Sequence, residues 1–444
     1  MARPLGIDLF AGAGGLSLGF EQAGFDVVAA VEVDPVHCAV HKFNFPDCAV
    51  IARSVVGLTA AEIRSSANIG LRNVDVVFGG APCQGFSMIG QRILDDPRNH
   101  LVKEFVRIVK DLRASYFVFE NVKGLTVGKH RRFLEELIAL FDQAGYDVRL
   151  PWKVLDAAEY GVPQHRERLI LFGARKGLPL PAYPAPTTRP ADRSGPADLP
   201  KGPTAKEALQ DLPDAEMFAE LSASDEVRTR KPWKAVAAYA RQLRGLDNAA
   251  DDYSHPRRWD PALLTSSART DHTSISRLRF AETKPGTVEP ISRFYRLAPN
   301  GLSNTLRAGT DAARGAFTSP RPIHYALARC VTVREMARLH GFPDWFRFNE
   351  TKWHGARQIG NSVPPPLARA VAGQVMRALG LAPERPPAPV DLGNPDLVRM
   401  TVSQAAAHFG IPAPEGKRDR PSGARKRKQA EIEAERLSKQ ALVG

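Results

Sequence analysis

A cysteine follows an apolar, β-branched run in the stretch VDVVFGGAPCQGFS, residues 74 to 87. An isolated cysteine is most often a buried structural residue, because a thiol packs well in a protein core. The surroundings of Cys83 argue against that interpretation: Gly79 and Gly80 open space, Pro82 fixes a turn, and a polar loop follows. We therefore expect Cys83 just past the end of a strand, where its thiolate is available as a nucleophile.

Further polar groups are expected near Cys83, at the ends of other strands of the same sheet. Glu120 emerges from the apolar run of FVFENVKG, residues 117 to 124, and either caps the next element or handles protons beside Cys83. In YGVPQHRERLILFG, residues 160 to 173, alternate positions entering an apolar strand are polar, and period two places them on one face: Gln164, Arg166 and Arg168. Surface charge is the alternative for this set, but it does not explain why the run enters a buried strand.

A glycine-rich turn follows the first apolar run, in DLFAGAGGLSLGF at residues 8 to 20. Glycines let the backbone turn tightly and bring amide groups and a helix N-terminus close to a ligand, here through Gly12, Gly14 and Gly15. The next strand is expected to end at Glu32, which is placed to accept hydrogen bonds from ribose hydroxyls. A dinucleotide fits these features as well as any other ribose-containing cofactor does.

These groups need a sheet to position them, and residues 5 to 173 alternate short apolar runs with segments of helical period. That alternation predicts a doubly wound α/β domain with a mostly parallel sheet, whose ligands lie beyond the carboxyl ends of the strands. The expected strands are Leu5 to Leu9, Val27 to Val31, Val74 to Phe78, Tyr116 to Phe119 and Leu169 to Phe172. The expected helices are Gly14 to Ala23, Val36 to Asn44, Leu101 to Arg113 and Arg131 to Gln143.

Shifts in composition divide the chain. After a catalytic and cofactor-binding domain at 1–176, a Pro-rich connection covers 177–213, and a smaller loop-rich module covers 214–325. Helical patterns return at 326–382 and are expected to complete the first domain. The remainder, 383–444, is Pro-rich and then strongly basic, and is predicted to be largely disordered.

The overall charge favours a polyanionic partner. The chain has 61 Lys and Arg against 48 Asp and Glu, a formal net charge of +13, which favours nucleic acid over a membrane surface. The four cysteines are scattered without zinc-like spacing, so neither a metal site nor a disulfide scaffold is predicted. No signal-peptide pattern or bilayer-spanning apolar run is visible, and a cytoplasmic protein is expected.

Taken together and in this order, the blocks resemble the C5-cytosine DNA methyltransferase family, over residues 5 to 173 and again from about 329 to 378. DLFAGAGG resembles the family's cofactor loop, APCQGFS its nucleophile block, ENV its proton-donor block and QHRER its arginine block. The match resumes with RCVTVREMARLHGFPD and RQIGNSVPPPLARAV, in which QIGNSVP resembles the late segment that returns to complete the cofactor pocket. The resemblance implies a site for S-adenosylmethionine lined by Phe10, Gly12, Gly14, Glu32, Pro82, Asn361 and Ser362.

One departure concerns the third strand, after which the family usually carries an acidic residue that bonds the adenine amino group. This chain reads VIARSVV there, with Ser54 at the corresponding position. The resemblance therefore leaves the adenine contact to another group or to a backbone amide.

The resemblance also implies the chemistry. The Cys83 thiolate adds to cytosine C6, Glu120 acts at N3, Arg168 stabilises O2 and Arg166 supports the pocket. The target base must leave the duplex stack, and the loop carrying Ser87, Gln91 and Arg92 is the hypothetical lid.

The implied partner is duplex DNA, bound by a monomer associated with the bacterial nucleoid through that DNA. The variable module would read its sequence, with Arg293, Arg296 and Arg307 as candidates. A cognate restriction endonuclease is a possible genetic partner, and the basic tail either adds non-specific DNA affinity or has no function.

Three alternatives stay open at this point. An RNA cytosine-5 methyltransferase would use the same chemistry. A catalytically silent DNA-binding relative would keep the fold, although intact Cys83, Glu120 and Arg168 argue against it. A nicotinamide oxidoreductase would explain the glycine-rich turn alone.

Overall fold

The computed structural model describes residues 3–82, 99–126, 130–194, 196–310 and 318–413. Within these ranges an eight-stranded sheet forms the centre of the protein. Its strands are β1 (Leu5–Leu9), β2 (Asp26–Glu32), β3 (Ala49–Ala52), β4 (Val76–Gly79), β5 (Tyr116–Val122), β6 (Tyr146–Val148), β7 (Lys153–Asp156) and β8 (Glu167–Arg175).

The strand order is β3-β2-β1-β4-β5-β8-β6, and β7 pairs with β8 outside this path. Pairs from β3 to β5 are parallel, whereas β8 runs antiparallel to β5, β6 and β7. The predicted α/β fold with a mostly parallel sheet is confirmed. The antiparallel β8 has a functional consequence, because its first residues lie at the edge where β5 ends.

Helices cover both faces of this sheet. The described helices are α1 (Gly15–Gln22), α2 (Pro35–Asn44), α3 (Ala60–Ser66), α4 (His100–Asp111), α5 (His130–Gln143), α6 (Ala205–Leu209), α7 (Ala238–Leu243), α8 (Ser274–Glu282), α9 (Val333–Leu339), α10 (Lys352–Asn361), α11 (Pro365–Ala378) and α12 (Val402–His408). None of the helices in the described ranges is long and apolar enough to cross a membrane.

Alternation along the strands gives the sheet two apolar faces. Val77 and Phe117 belong to the core that includes residues of α3, α4 and α5. Val76 and Phe78 face the other way, into a core shared with α1 and α11. Because both faces are apolar, the strands read as continuous hydrophobic runs in the sequence. The late helix α11 is therefore an integral layer of the first domain.

The module between the Pro-rich connection and α9 contains little regular structure. Besides α7 and α8 it has the two-residue strands β9 (Val227–Arg228), β10 (Arg257–Arg258) and β11 (Leu263–Leu264). β9 and β11 form an antiparallel pair. The small amount of regular structure in this module agrees with the weak periodicity of this part of the sequence. The domain boundaries themselves stay predictions.

The prediction of a disordered tail from residue 383 is wrong for residues 383–413. Strand β12 (Val390–Asp391) pairs in parallel with β10, and Thr401 caps α12 through a capping box with Gln404. Leu397 and Val398 are buried against α2 in a separate apolar cluster. Sparse apolar residues thus find a partner surface that composition alone does not reveal. The basic residues from 414 onwards lie outside the described residues.

Candidate active site

The carboxyl ends of four neighbouring strands meet at one edge of the sheet. The backbone register pairs Leu9 with Gly79 and Gly79 with Phe119, so the chain leaves β1, β4 and β5 side by side. Glu32 ends β2 at the same edge, where β2 lies beside β1. The predicted glycine-rich turn, ribose-binding acid, thiol segment and carboxylate therefore follow adjacent strands.

Glu120 and Arg168 form an ion pair at this edge. Arg168 Nε lies 2.7 Å from Glu120 Oε1, and the two side chains are only 12% and 13% exposed. Antiparallel pairing sets this contact: Arg168 lies opposite Val122, diagonally across from Glu120 on the same face. The structure thus brings together two residues whose proximity the sequence spacing predicts.

Burial raises the pKa of Glu120, and this effect outweighs the opposing charges of Arg168 and Arg166. A carboxyl group whose pKa is raised holds its proton more readily than an exposed glutamate does. A group that handles a proton during catalysis needs this property.

The chain approaches Cys83 directly beside this pair. A β-carbon on Gly80 would lie 2.4 Å from Glu120 Oε2, so a side chain at this position would require the Glu120 carboxylate to move away from Arg168 or the backbone to shift. Asn121 donates its side-chain amide to the Ala81 carbonyl oxygen at 2.9 Å. Pro82 is the last described residue of this segment and is exposed, while Cys83, Ser87, Gln91 and Arg92 lie outside the described residues.

Sequence reasoning missed the role of Asn121. This side chain is 8% exposed at the end of an otherwise apolar strand, and it holds the backbone two residues before Cys83. The sequence signal for this role is an asparagine directly after Glu120, at the end of an apolar run.

The three other cysteines lie in the protein interior. Cys38, Cys48 and Cys330 are free and buried. Burial raises the pKa of the Cys38 and Cys48 thiols, and raises that of Cys330 to about 11. Such thiols are not thiolates at neutral pH and make poor nucleophiles.

Gln164 and Arg166 precede β8, so only Arg168 of the predicted alternating set lies within the strand. All three nevertheless point into the protein. Arg166 is 1% exposed and donates to the carbonyl oxygens of Leu306 at 3.0 Å and Gly360 at 2.7 Å. It joins its own segment to two others that are distant in the sequence, and its supporting role in the pocket stays a prediction.

The glycine-rich turn has an unusual backbone. Phe10 and Gly12 have φ values of 63° and 56°, and no atom lies within 4 Å of a β-carbon built on Gly12. Gly14, with φ of 103°, has no room for a side chain because Phe45 and His41 pack against it. Glu32 fixes the turn by accepting a hydrogen bond from the Gly12 amide at 2.8 Å.

The late segment closes on the same turn. A β-carbon on Gly15 would lie 2.6 Å from the Val363 carbonyl oxygen and 2.8 Å from Ser362 Cβ. Asn361 ends α10 and is exposed, whereas Ser362 is buried. Residues more than 340 positions apart along the chain therefore form one surface beside Gly12.

Ser54 lies two residues beyond β3, which pairs with β2 so that Ala52 is opposite Glu32. Its hydroxyl accepts a hydrogen bond from the Val56 amide at 3.2 Å. The neighbouring Arg53 pairs with Glu62 at 3.0 Å on the surface. Ser54 is thus exposed near the end of the strand next to Glu32.

Of the predicted DNA-reading arginines, Arg293 and Arg307 are exposed and line one groove of the variable module. Arg296 does not fit that role. It donates to four carbonyl oxygens, those of Phe280, Ala281, Thr283 and Tyr325, and so holds the module together. Its occupied donors correct the prediction for this residue.

Comparison with known proteins identifies the family. The family model for C-5 cytosine-specific DNA methylase matches residues 6–377. Type II methyltransferase M.XorII of Xanthomonas oryzae pv. oryzae is 59% identical over 411 residues, which is 93% of each chain. Type II methyltransferase M1.HphI of Haemophilus parahaemolyticus is 33% identical and aligns with 84% of this chain and 86% of its own.

A solved structure supports the same assignment. The crystal structure of an E. coli DNA modification methyltransferase encoded within a prophage superimposes with a TM-score of 0.66 at 33% identity, over 85% of this chain and all of that one. The predicted family and enzyme class are confirmed: the chain belongs to the C-5 cytosine-specific DNA methylase family and is a DNA (cytosine-5) methyltransferase.

Proposed function

We propose that this enzyme methylates C5 of a cytosine extruded from a specific duplex DNA sequence, with S-adenosylmethionine as methyl donor and Cys83 as covalent nucleophile. The observation that carries the proposal is the largely solvent-shielded Glu120–Arg168 ion pair, against which Gly80 packs three residues before Cys83. The other three cysteines, Cys38, Cys48 and Cys330, are buried, which leaves Cys83 as the candidate nucleophile.

The residues act in sequence on the base. The Cys83 thiolate adds to C6, which breaks the aromaticity of the ring and places electron density on C5. Glu120 bonds N3 and Arg168 bonds O2, the two atoms on which negative charge develops. After methyl transfer, loss of the C5 proton and β-elimination release Cys83. Arg166 supports Arg168 through its bonds to Leu306 in the variable module and Gly360 in the late segment.

The residues at the glycine-rich turn fit S-adenosylmethionine. The open space at Gly12 leaves room for a ligand against the backbone, and Glu32 lies at the end of β2 with Oε2 accepting one hydrogen bond, from the Gly12 amide, and able to accept a second. Phe10, Gly12, Gly14, Glu32, Pro82, Asn361 and Ser362 would hold it. When bound, this cofactor supplies an electrophilic methyl group on a sulfonium centre.

The adenine end of this pocket is the part that departs from the family pattern. Ser54 is the residue of this chain at the end of β3, and its hydroxyl is both donor and acceptor. We assign the adenine amino contact to the Ser54 hydroxyl or to the backbone near it.

The DNA partner is bound through the variable module. Arg293 and Arg307 are exposed on one groove there and are positioned to contact phosphates or guanine edges. Extruding the target cytosine from the base stack costs about a few kcal/mol, the free energy of unstacking and unpairing one base. The Type II names of the relatives suggest that a restriction endonuclease of the same specificity accompanies the enzyme on cytoplasmic DNA.

Bisulfite sequencing of DNA from cells that express the protein tests this function. The expected result is complete protection of cytosines at one recurrent sequence, which also defines the target site. The Cys83→Ser variant, expressed to the same level, should leave every site unmethylated. Methylation of RNA alone, or of DNA without sequence preference, would contradict the proposal.

A further inference from the structure

A chain of three buried hydrogen bonds connects the variable module to the late segment through His340. The Leu306 amide donates to Gln164 Oε1 at 3.0 Å, and Gln164 Nε2 lies 2.9 Å from His340 Nδ1. At its other end, His340 Nε2 lies 3.1 Å from the Ser362 carbonyl oxygen. Gln164 and His340 are fully buried, so each of their polar atoms needs a partner.

The hydrogen-bond partners determine which polar atoms of Gln164 and His340 donate and which accept. The Leu306 amide is a donor, so Gln164 must present its oxygen there and its Nε2 towards His340 and the Leu339 carbonyl oxygen. His340 Nδ1 must therefore accept, and Nε2 must carry the hydrogen donated to Ser362. Burial lowers the pKa of His340 well below its ordinary value, which agrees with this neutral form.

The two ends of this chain belong to two ligand-binding surfaces. Leu306 is flanked by Thr305 and Arg307, which are exposed on the groove of the variable module. Ser362 packs against Gly15 at the start of α1, beside the glycine-rich turn. His340 therefore lies between the residues proposed to bind DNA and those proposed to bind the cofactor.

A second buried connection runs in parallel. Arg166 bonds the carbonyl oxygens of both Leu306 and Gly360. A β-carbon on Gly360 would lie 2.4 Å from the Ala308 amide nitrogen, so the two segments are in direct contact. The two segments are thus held together by direct contacts, and a shift of residues 305–308 on DNA is expected to move the turn around Ser362.

We propose that His340 is a positioning residue that couples DNA binding at the groove to cofactor affinity at the Ser362 turn. This inference rests on the proposed function, since it requires both ligands. Coupling of this kind is reciprocal: each ligand must raise the affinity of the enzyme for the other ligand by the same factor.

Calorimetric titration of S-adenosylhomocysteine tests the inference. The cofactor product is titrated into the enzyme with and without a duplex that carries the target site mapped by bisulfite sequencing. The ratio of the two dissociation constants is the coupling factor, which we expect to be about five-fold or more in the parental enzyme. His340→Leu removes both hydrogen bonds and should bring the ratio to within about two-fold of one.

Two variants separate coupling from a loss of stability. His340→Gln can still accept from Gln164 and donate to Ser362, so it should restore most of the ratio. Met336→Ala creates a cavity in α9, the helix that ends directly before His340, and should lower the melting temperature while leaving the ratio unchanged. If His340→Leu does not fold, Gln164→Met breaks the same chain at its other member and should show the same loss.

The possible results divide cleanly. If the enzyme methylates the duplex, either of two results overturns the inference. One is a coupling factor of one in the parental enzyme, and the other is a folded His340→Leu or Gln164→Met protein that keeps the parental coupling factor. A parental enzyme that fails to methylate the duplex refutes the proposed function itself, and this inference with it.

Discussion

Gly80 lies against the carboxylate of Glu120 so closely that a β-carbon at this position would come within 2.4 Å of Oε2. Arg168 holds the other carboxylate oxygen at 2.7 Å, so Glu120 is fixed from two sides. The backbone that leads to Cys83 is thereby held at a fixed position relative to the Glu120 carboxylate, the group proposed to bond cytosine N3.

Replacing Gly80 by alanine should therefore impair chemistry more than folding. The added methyl group displaces Glu120 or the segment before Cys83, and a misplacement of about 1 Å can lower a rate about 100-fold. Tritium transfer from labelled S-adenosylmethionine to DNA measures kcat. Gly373→Ala is the matched control, because nothing lies within 4 Å of a β-carbon there. Equal activity of the two variants would show that the Gly80 contact is irrelevant.

Glu120→Gln should change both activity and the pH dependence of stability. Loss of the proton-handling group is expected to lower kcat by about 100- to 10,000-fold. The pKa of Glu120 is raised above the ordinary value of 4.5, so the folded protein keeps this proton at pH values where the unfolded chain has lost it. The free energy of unfolding must then fall as pH rises from 4.5 through the raised pKa.

Urea denaturation of parental and variant protein at several pH values above 4.5 checks this sign. The parental protein should lose stability relative to Glu120→Gln as the pH rises. A difference between the two that stays constant or changes in the opposite direction would mean that the Glu120 pKa is not raised.

The two arginines should separate cleanly into structural and chemical roles. Arg166→Lys cannot bond both Leu306 and Gly360, so it should lower the melting temperature by several degrees, about the effect of 1–3 kcal/mol. Arg168→Lys keeps a charge near Glu120 but loses the guanidinium geometry, and should lower kcat about 100-fold with little change in melting temperature. Calorimetry and steady-state kinetics on both proteins test the assignment, which an exchange of the two phenotypes would refute.

Truncation tests whether residues 390–413 stabilise the fold and whether the basic residues after them, predicted from the sequence to be disordered, do not. Ending the chain after residue 389 exposes the surface of α2 that Leu397 and Val398 cover, each side chain being worth about 1.5–3 kcal/mol on burial. This protein should unfold at a clearly lower temperature. Ending it after residue 413 should leave the melting temperature unchanged. Differential scanning calorimetry compares them, and equal melting temperatures would contradict the packing described.

The sequence predicted those parts of the structure that depend on local pattern. β1 is found at Leu5–Leu9 as expected, and the four expected helices lie within two residues of their predicted ends. Glu120 and Arg168 were expected at one edge because strand ends and alternation place them there, and they form an ion pair. Hydrophobic periodicity therefore locates these elements, whereas the short strands β3, β6 and β7 were not among those expected.

Features that depend on distant contacts were not predictable. His340 lies in an ordinary helical pattern, and its partners Gln164 and Ser362 are 176 and 22 positions away. Arg296 reads as a DNA-contacting residue until its four carbonyl partners are known. The order of residues 390–408 depends on a surface of α2 that no local pattern of the tail encodes.

The central claim is that Cys83 attacks cytosine, and covalent trapping tests it most directly. In a duplex whose target cytosine is 5-fluorocytosine, fluorine at C5 cannot leave as a proton does, so the adduct at C6 persists after methyl transfer. The parental enzyme with S-adenosylmethionine should give a denaturant-stable DNA complex whose cross-linked peptide, identified by mass spectrometry, contains Cys83. An adduct on any other residue, or a Cys83→Ser protein that forms the complex or methylates DNA at the parental rate, would contradict the account.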